Sequence, residues 1–92
     1  MIVRIATEGQ YEIADADTSR LNALDNEAVA ACEAADDVRF GYVFAALLAL
    51  VRTKGTAVGE DELVGSDIIL PPPDVSLDEA RSEFQGEGLI PS

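Results

Sequence analysis

The chain has 92 residues, of which 48% are hydrophobic and 26% charged, and its 18 Asp and Glu against 6 Lys and Arg give a formal net charge of -12. This length and composition predict a single globular domain, residues 1–92, and exclude a disordered chain. The negative charge excludes nucleic acid as a partner, because phosphate binding requires clustered Lys and Arg. One interpretation of the excess of acidic residues is adaptation to a cytosol of high salt, in which the repulsion between the carboxylates is screened. The alternative interpretation is an ordinary acidic surface that keeps a small protein soluble.

The side chains that most enzymes use are nearly missing from the sequence. It contains no histidine and one cysteine, Cys32, so that His-assisted nucleophiles and thiolate zinc sites are excluded. The acidic segment that begins at Asp15 starts like a calcium loop, but Arg20 replaces its turn glycine and Asn26 its bidentate acid. We therefore predict that the protein is not an enzyme and has no catalytic residues, no metal site and no cofactor.

The first predicted element is a β-hairpin at the N-terminus. Apolar residues alternate with polar ones on either side of Gly9, with Val3 and Ile5 before it and Tyr11 and Ile13 after it. Period-two alternation around a short connection with glycine indicates two antiparallel strands, since glycine supplies the positive φ of the turn.

Two helices are predicted next. The first begins at a cap provided by Asp17 or Thr18 and continues with apolar residues at three- and four-residue steps. The second begins at a cap provided by Asp37 and ends at Gly55, which is placed in the left-handed C-terminal position. Together they predict an antiparallel helix hairpin.

The C-terminal part of the sequence predicts one strand and one short helix. The strand covers 67–70 and stops at the three prolines that follow it, which lack backbone donors. Ser76 and Glu79 have the spacing of a capping box at the start of a helix. Leu89 and Ile90 are expected to dock on the domain. The fold class is therefore α+β: a small antiparallel sheet, made of the N-terminal hairpin and a short third strand, packs against the helix hairpin, with a short C-terminal helix.

The most apolar stretch of the sequence reads GYVFAALLALVR and covers 41–52. Its ten unbroken apolar residues correspond to about 15 Å of helix, whereas a membrane span needs roughly 20 residues. We predict no membrane insertion, and because the first residues lack the pattern of a secretion signal, we expect a cytoplasmic protein.

The second helix has a bulky side and a stripe of small residues. The bulky side, which includes Phe40 and Phe44, is expected to face the sheet, while Gly41, Ala45 and Ala49 recur every four residues. We expect the stripe to pack closely against alanines of the first helix. The alternative is that part of this helix meets another chain, and the predicted interaction residues are Gly41, Ala45, Ala49, Phe40 and Phe44.

Several segments of the sequence together resemble a known family. They are MIVRI, EGQY, LNALD, LLALVR, SDIILPPPD, SLDEAR and GEGLIP, in this order and spacing. They resemble the small domain associated with phage shock protein A, usually written PspAA, and the resemblance extends over almost the whole chain.

The resemblance implies an accessory protein of the PspA membrane-stress system in bacteria and archaea. Its partner would be the coiled-coil, membrane-remodelling protein PspA, and it would reach the inner face of the membrane through that partner without contacting lipid. The resemblance brings no catalytic residues with it. The alternative function is a free-standing homo-oligomer that serves as a regulatory or ligand-sensing module.

Overall fold

The computed structural model describes residues 1–59 and 64–84, and the predicted docking of Leu89 and Ile90 lies outside these ranges. The chain folds into an α+β domain in which a four-stranded sheet packs against a helix hairpin and a short C-terminal helix, so the predicted fold class is confirmed. In chain order the elements are β1 (Ile2–Ile5), β2 (Gly9–Glu12), α1 (Asp15–Glu33), α2 (Asp37–Lys54), β3 (Thr56–Ala57), β4 (Ile68–Leu70) and α3 (Leu77–Glu83).

The N-terminal hairpin is confirmed. β1 and β2 pair antiparallel, with Ile5 opposite Gly9, and the turn between them uses positive φ at Thr7 (70°) and Gly9 (145°). Val3 and Ile5 are buried while Arg4, between them, is exposed, as period-two alternation requires.

The sheet is mixed, so the predicted all-antiparallel arrangement is wrong. Its strand order is β3-β2-β1-β4, and β4 pairs parallel with β1, placing Ile68 opposite Val3 and Leu70 opposite Ile5. A parallel pair needs a long crossover between its strands, and the helix hairpin supplies one. The two-residue strand β3 was not predicted; it pairs antiparallel with β2 through Ala57 and Tyr11.

Both long helices begin earlier than the sequence predicts. α1 starts at Asp15 after Ala14, which makes no side-chain capping bond, so Asp17 and Thr18 lie inside its first turn. α2 is capped by Asp36 rather than Asp37: the Asp36 carboxylate accepts a bond of 3.1 Å from the backbone N–H of Arg39. An acidic side chain stabilises a helix at any position in or just before its first turn. The sequence pattern therefore does not show which of several neighbouring acidic residues is the cap.

Gly55 ends α2 without the predicted left-handed conformation. Its φ is -79° and its ψ 154°, an extended geometry that any residue adopts. What requires glycine is space, because a Cβ built at this position would overlap the carbonyl oxygen of Val51 and come within 2.9 Å of Ile13 Cδ1 and Tyr11 Cβ. The end of α2 is thus pressed against β2.

The core fills the space between the sheet and the helices. A cluster of three phenylalanines lies at one end of it: the Phe40 and Phe44 rings stack at 5.4 Å, and the Phe84 ring meets them edge-on at 5.8 and 6.1 Å. Phe84 follows α3, and this helix starts with the predicted capping box between Ser76 and Glu79. Within 1–59 and 64–84, the other buried hydrophobic residues of the core are Val3, Ile5, Ile13, Leu21, Ala28, Val29, Ala31, Cys32, Val43, Leu47, Leu48, Leu50, Val51, Ile68, Leu70 and Ala80.

Candidate interaction surface

The side of α2 that faces away from the core is apolar and exposed. Two large side chains lie on it, Val38 with 70% and Tyr42 with 77% of its surface exposed. Gly41, Ala45 and Ala49 are exposed beside them. We call these five residues the outer face of α2.

The outer face carries no charge over most of its length. From Phe40 to Val51 the helix contains no Asp, Glu, Lys or Arg, and its cations lie at Arg39, Arg52 and Lys54. At 100° per residue, Val38, Tyr42, Ala45 and Ala49 fall within about 60° of one another, so they form one continuous strip along the helix. An exposed strip of this kind is typical of a surface that contacts another protein.

The structure separates the five predicted interaction residues into two groups. Phe40 and Phe44 are buried in the aromatic cluster, so they stabilise the core and do not reach the surface. Gly41, Ala45 and Ala49 are exposed, and a Cβ added to Gly41 would meet nothing within 4 Å. Whether these three bind a partner stays a prediction.

The expected packing of the small-residue stripe against α1 is wrong. The α1 alanines Ala28 and Ala31 are fully buried, while the α2 stripe stays open, so α1 contacts a different side of α2. The bulky residues of α2 provide that contact because burying them stabilises the domain far more than burying glycine or alanine.

Sequence reasoning missed Val38 and Tyr42 as parts of the surface. Their spacing indicated a common surface: Val38 and Tyr42 are four residues apart, and they lie on the same side of the helix as Ala45 and Ala49. An all-apolar helix, however, has no polar side that marks the direction of solvent, so its sequence does not separate these two residues from the buried ones.

The C-terminal end of α2 is held by an ion pair to the hairpin turn. The Arg52 guanidinium donates to the Glu8 carboxylate, with 2.9 Å between Nε and Oε2, and Tyr11 Oη donates to the same oxygen at 3.3 Å. The bond from Arg52 holds the pKa of Glu8 below its usual value, against a smaller opposing effect of burial. This contact fixes the end of the outer face relative to the sheet.

Among the described residues, a polar groove and a buried thiol are two further features to consider for chemistry. The groove, open and about 760 Å³ in volume, lies beside β1 and β2, and its lining includes Arg4, Glu8 and Gln10. Gln10 Nε2 donates to Ser66 Oγ at 2.8 Å and to the Val64 carbonyl at 3.1 Å, so it ties β2 to the segment before β4. Cys32 is buried, and burial raises the pKa of its thiol, which makes it a poor nucleophile at neutral pH.

The described parts of the chain supply neither a metal cluster nor a membrane span. Among residues 1–59 and 64–84, no three His, Cys, Asp or Glu side chains come together as a group that could hold an ion. Within the same ranges, no helix is long and apolar enough to cross a bilayer.

The comparison with known proteins gives a family and no individual relative. No curated protein and no solved structure matches the chain at a significant level. The family model of the PspA-associated proteins, PspAA, matches residues 1–92. With a match over its whole length, the chain belongs to the family of PspA-associated proteins.

Proposed function

We propose that this protein is a non-catalytic accessory protein of the PspA membrane-stress system and acts by binding a PspA-type coiled-coil protein. The observation that carries the proposal is the outer face of α2, on which Val38 and Tyr42 are exposed along an uncharged helix surface. The family description, which associates such chains with PspA, supplies the partner.

The outer face has the shape that a partner helix needs. α2 has 18 residues and is therefore about 27 Å long, which matches four to five turns of a second helix. Gly41, Ala45 and Ala49 add almost no height, so a second helix can approach closely, while Tyr42 offers a large side chain for its grooves. A long coiled-coil protein presents helices of this kind along its surface.

The charge of the protein sets the conditions for such binding. At a net charge of -12 the protein is attracted by a basic stripe on its partner, but at 1 M salt the Debye length falls to about 3 Å and this attraction is largely screened. If the protein works in a salt-rich cytoplasm, apolar contact at the outer face provides most of the affinity. The protein then reaches the membrane through its partner and does not insert into lipid.

The proposal is tested by co-purification with the cognate PspA-type protein at the salt concentration of the native cytoplasm. We expect the wild-type chain to be retained and Ala45→Glu, which places a charge in the middle of the outer face, to lose at least tenfold in affinity. Ala23→Glu is the matched control, because Ala23 is an exposed alanine in α1 and the substitution changes the net charge equally. A wild-type chain that is not retained, or equal retention of both variants, would contradict the proposal.

A further inference from the structure

We propose that Glu8 is a positioning residue for the outer face of α2: it holds the Arg52 side chain at the hairpin turn and so leaves the apolar strip open to a partner helix. The inference rests on the proposed function, because the open strip matters only if a partner binds it. It begins from the ion pair between Glu8 and Arg52, which lies at the C-terminal end of that surface.

Arg52 belongs to the outer face by its position on the helix. It follows Ala45 by seven residues, so at 100° per residue the two lie within about 20° of each other around the axis. The other cations of α2 point elsewhere, since Arg39 lies about 120° and Lys54 about 180° from Ala45. Arg52 is therefore the cation of α2 that is aligned with the strip.

A helical arginine with no partner covers the apolar surface near it. Helical side chains lean toward the N-terminus of their helix, so each covers the turn before its own Cα. The methylene groups of arginine favour contact with apolar surface while the guanidinium stays in water. The turn before Arg52 contains Ala49, so we expect an unrestrained Arg52 side chain to lie over Ala49 and toward Ala45.

The structure holds the Arg52 side chain at the hairpin instead. A Cβ built at Gly55, one turn beyond Arg52, would lie 2.9 Å from Tyr11 Cβ, so the hairpin packs at the C-terminal end of α2. The Glu8 carboxylate accepts two bonds from Arg52, one from Nε at 2.9 Å and one from Nη2, and this bidentate contact fixes the plane of the guanidinium. Ala45 and Ala49 are exposed in the same structure, so the strip is open while the pair is formed.

Glu8 is itself restrained by the hairpin. Tyr11 Oη donates to Glu8 Oε2 at 3.3 Å, which adds a neutral donor to the two from Arg52. The bonds between Arg52 and Glu8 raise the pKa of the guanidinium and lower the pKa of the carboxyl, so both groups stay charged at neutral pH. Because their charges cancel, a partner helix meets no net charge at this end of the strip.

Loss of the Glu8 carboxylate is expected to close part of the strip. Glu8→Gln removes the charge that holds the guanidinium, and the released Arg52 side chain then competes with the partner for the same apolar surface. The partner helix has to displace and order this long side chain, which corresponds to about a two- to tenfold change in affinity. We expect Glu8→Gln to weaken binding of the cognate PspA-type protein by about three- to tenfold.

A double-mutant cycle tests this effect at the salt concentration of the native cytoplasm. We expect the double variant Glu8→Gln with Arg52→Gln to regain wild-type affinity to within about twofold, because no arginine remains to cover the strip. Glu8→Gln and the double variant both lack the ion pair, so a loss caused only by weaker folding would appear in both. Glu12→Gln is the matched control for charge: Glu12 is an exposed carboxylate of β2, and its loss should leave the affinity unchanged.

Each outcome of the cycle decides the inference. Equal affinity of the wild type and Glu8→Gln would overturn it, as would a double variant that binds as weakly as Glu8→Gln. A wild-type chain that does not bind the PspA-type protein would refute the proposed function, and NMR of the free chain then decides whether Glu8 positions Arg52. We expect the NOE between Arg52 Hδ and the Ala49 methyl group to be several-fold stronger in Glu8→Gln than in the wild type; equal NOEs would overturn the inference.

Discussion

The substitution Gly55→Ala tests how tightly the end of α2 is packed against β2. Gly55 has an extended backbone, so alanine adds no conformational strain of its own. It adds one methyl group, and that group would overlap the Val51 carbonyl oxygen and lie 2.9 Å from both Ile13 Cδ1 and Tyr11 Cβ. Because one of these neighbours is a backbone atom and another is a Cβ, rotation of a side chain cannot relieve the clash.

The magnitude follows from these contacts. Inserting a methyl group into a packed site costs about 1–3 kcal/mol, and the backbone overlap places Gly55 at the upper end. Replacing glycine also restricts the unfolded chain, which returns up to about 1 kcal/mol. The expected net loss is about 2 kcal/mol, a large fraction of the roughly 5–14 kcal/mol available to a domain of 92 residues.

Thermal and urea unfolding of low-micromolar protein measure this loss, with Gly41→Ala as the matched control. For a domain of this size a loss of about 2 kcal/mol lowers Tm by roughly 8–16 °C. Gly41 lies in a helix, and a methyl group added there would meet no other atom within 4 Å, so the same substitution should stabilise by about 1 kcal/mol and raise Tm by roughly 4–8 °C. If Gly55→Ala were as stable as the wild type, the close contact between α2 and β2 would be refuted.

Three further changes test other parts of the fold. Ala35 follows α1 with a φ of 54°, in a turn closed by the bond from Asp36 N–H to the Ala31 carbonyl. Glycine adopts this left-handed conformation without the steric cost that alanine has, so Ala35→Gly should raise the free energy of unfolding by about 1 kcal/mol in urea. A lower free energy of unfolding would contradict this. Leu47→Ala empties a fully buried position and should cost about 2–5 kcal/mol in the same assay, and a loss below about 1 kcal/mol would show that the site is loosely packed. The Glu8 carboxylate has a lower pKa in the folded protein than in the unfolded chain, so the unfolded chain binds a proton at this group more readily. The stability that Glu8 contributes is therefore present above pH 4.5 and is lost as the pH falls below that value. Glu8→Gln should flatten that part of the pH profile of Tm, and an unchanged profile would contradict the ion pair.

Much of the fold could be predicted because the local patterns are strong. The alternation around Gly9 predicts the hairpin, and the spacing of Ser76 and Glu79 predicts the start of α3; each depends on neighbours within a few residues. The observed helix caps precede the predicted ones by three or four residues in α1 and by one residue in α2, because several acidic side chains near each start, among them Asp36 beside Asp37, can stabilise it equally well.

The parallel pairing of β4 with β1 could not be predicted from the sequence. Ile68 and Leu70 show only that a short apolar strand exists, while its direction depends on where the helix hairpin returns the chain. The outer face of α2 is a similar case. The apolar residues of this helix outnumber the positions that the core can bury, but only the packed structure shows that Val38 and Tyr42 are the ones left outside.

The position of β1 in the middle of the sheet has a consequence for synthesis and folding. β1 forms its hairpin with a strand that follows at once, but its other edge must wait for β4, whose Ile68 comes 56 positions after Glu12 at the end of β2. At about 5–20 residues per second, a ribosome takes several seconds to make that stretch. During this time an edge strand is open, with the exposed cation Arg4 at its centre as the feature that opposes pairing with other chains. We therefore expect a chain that ends at residue 59 to exchange rapidly with solvent the amides that face β4, such as those of Ile2 and Ala6, which bond to Asp67 and to the Leu70 carbonyl in the full chain, and we expect the full chain to protect them.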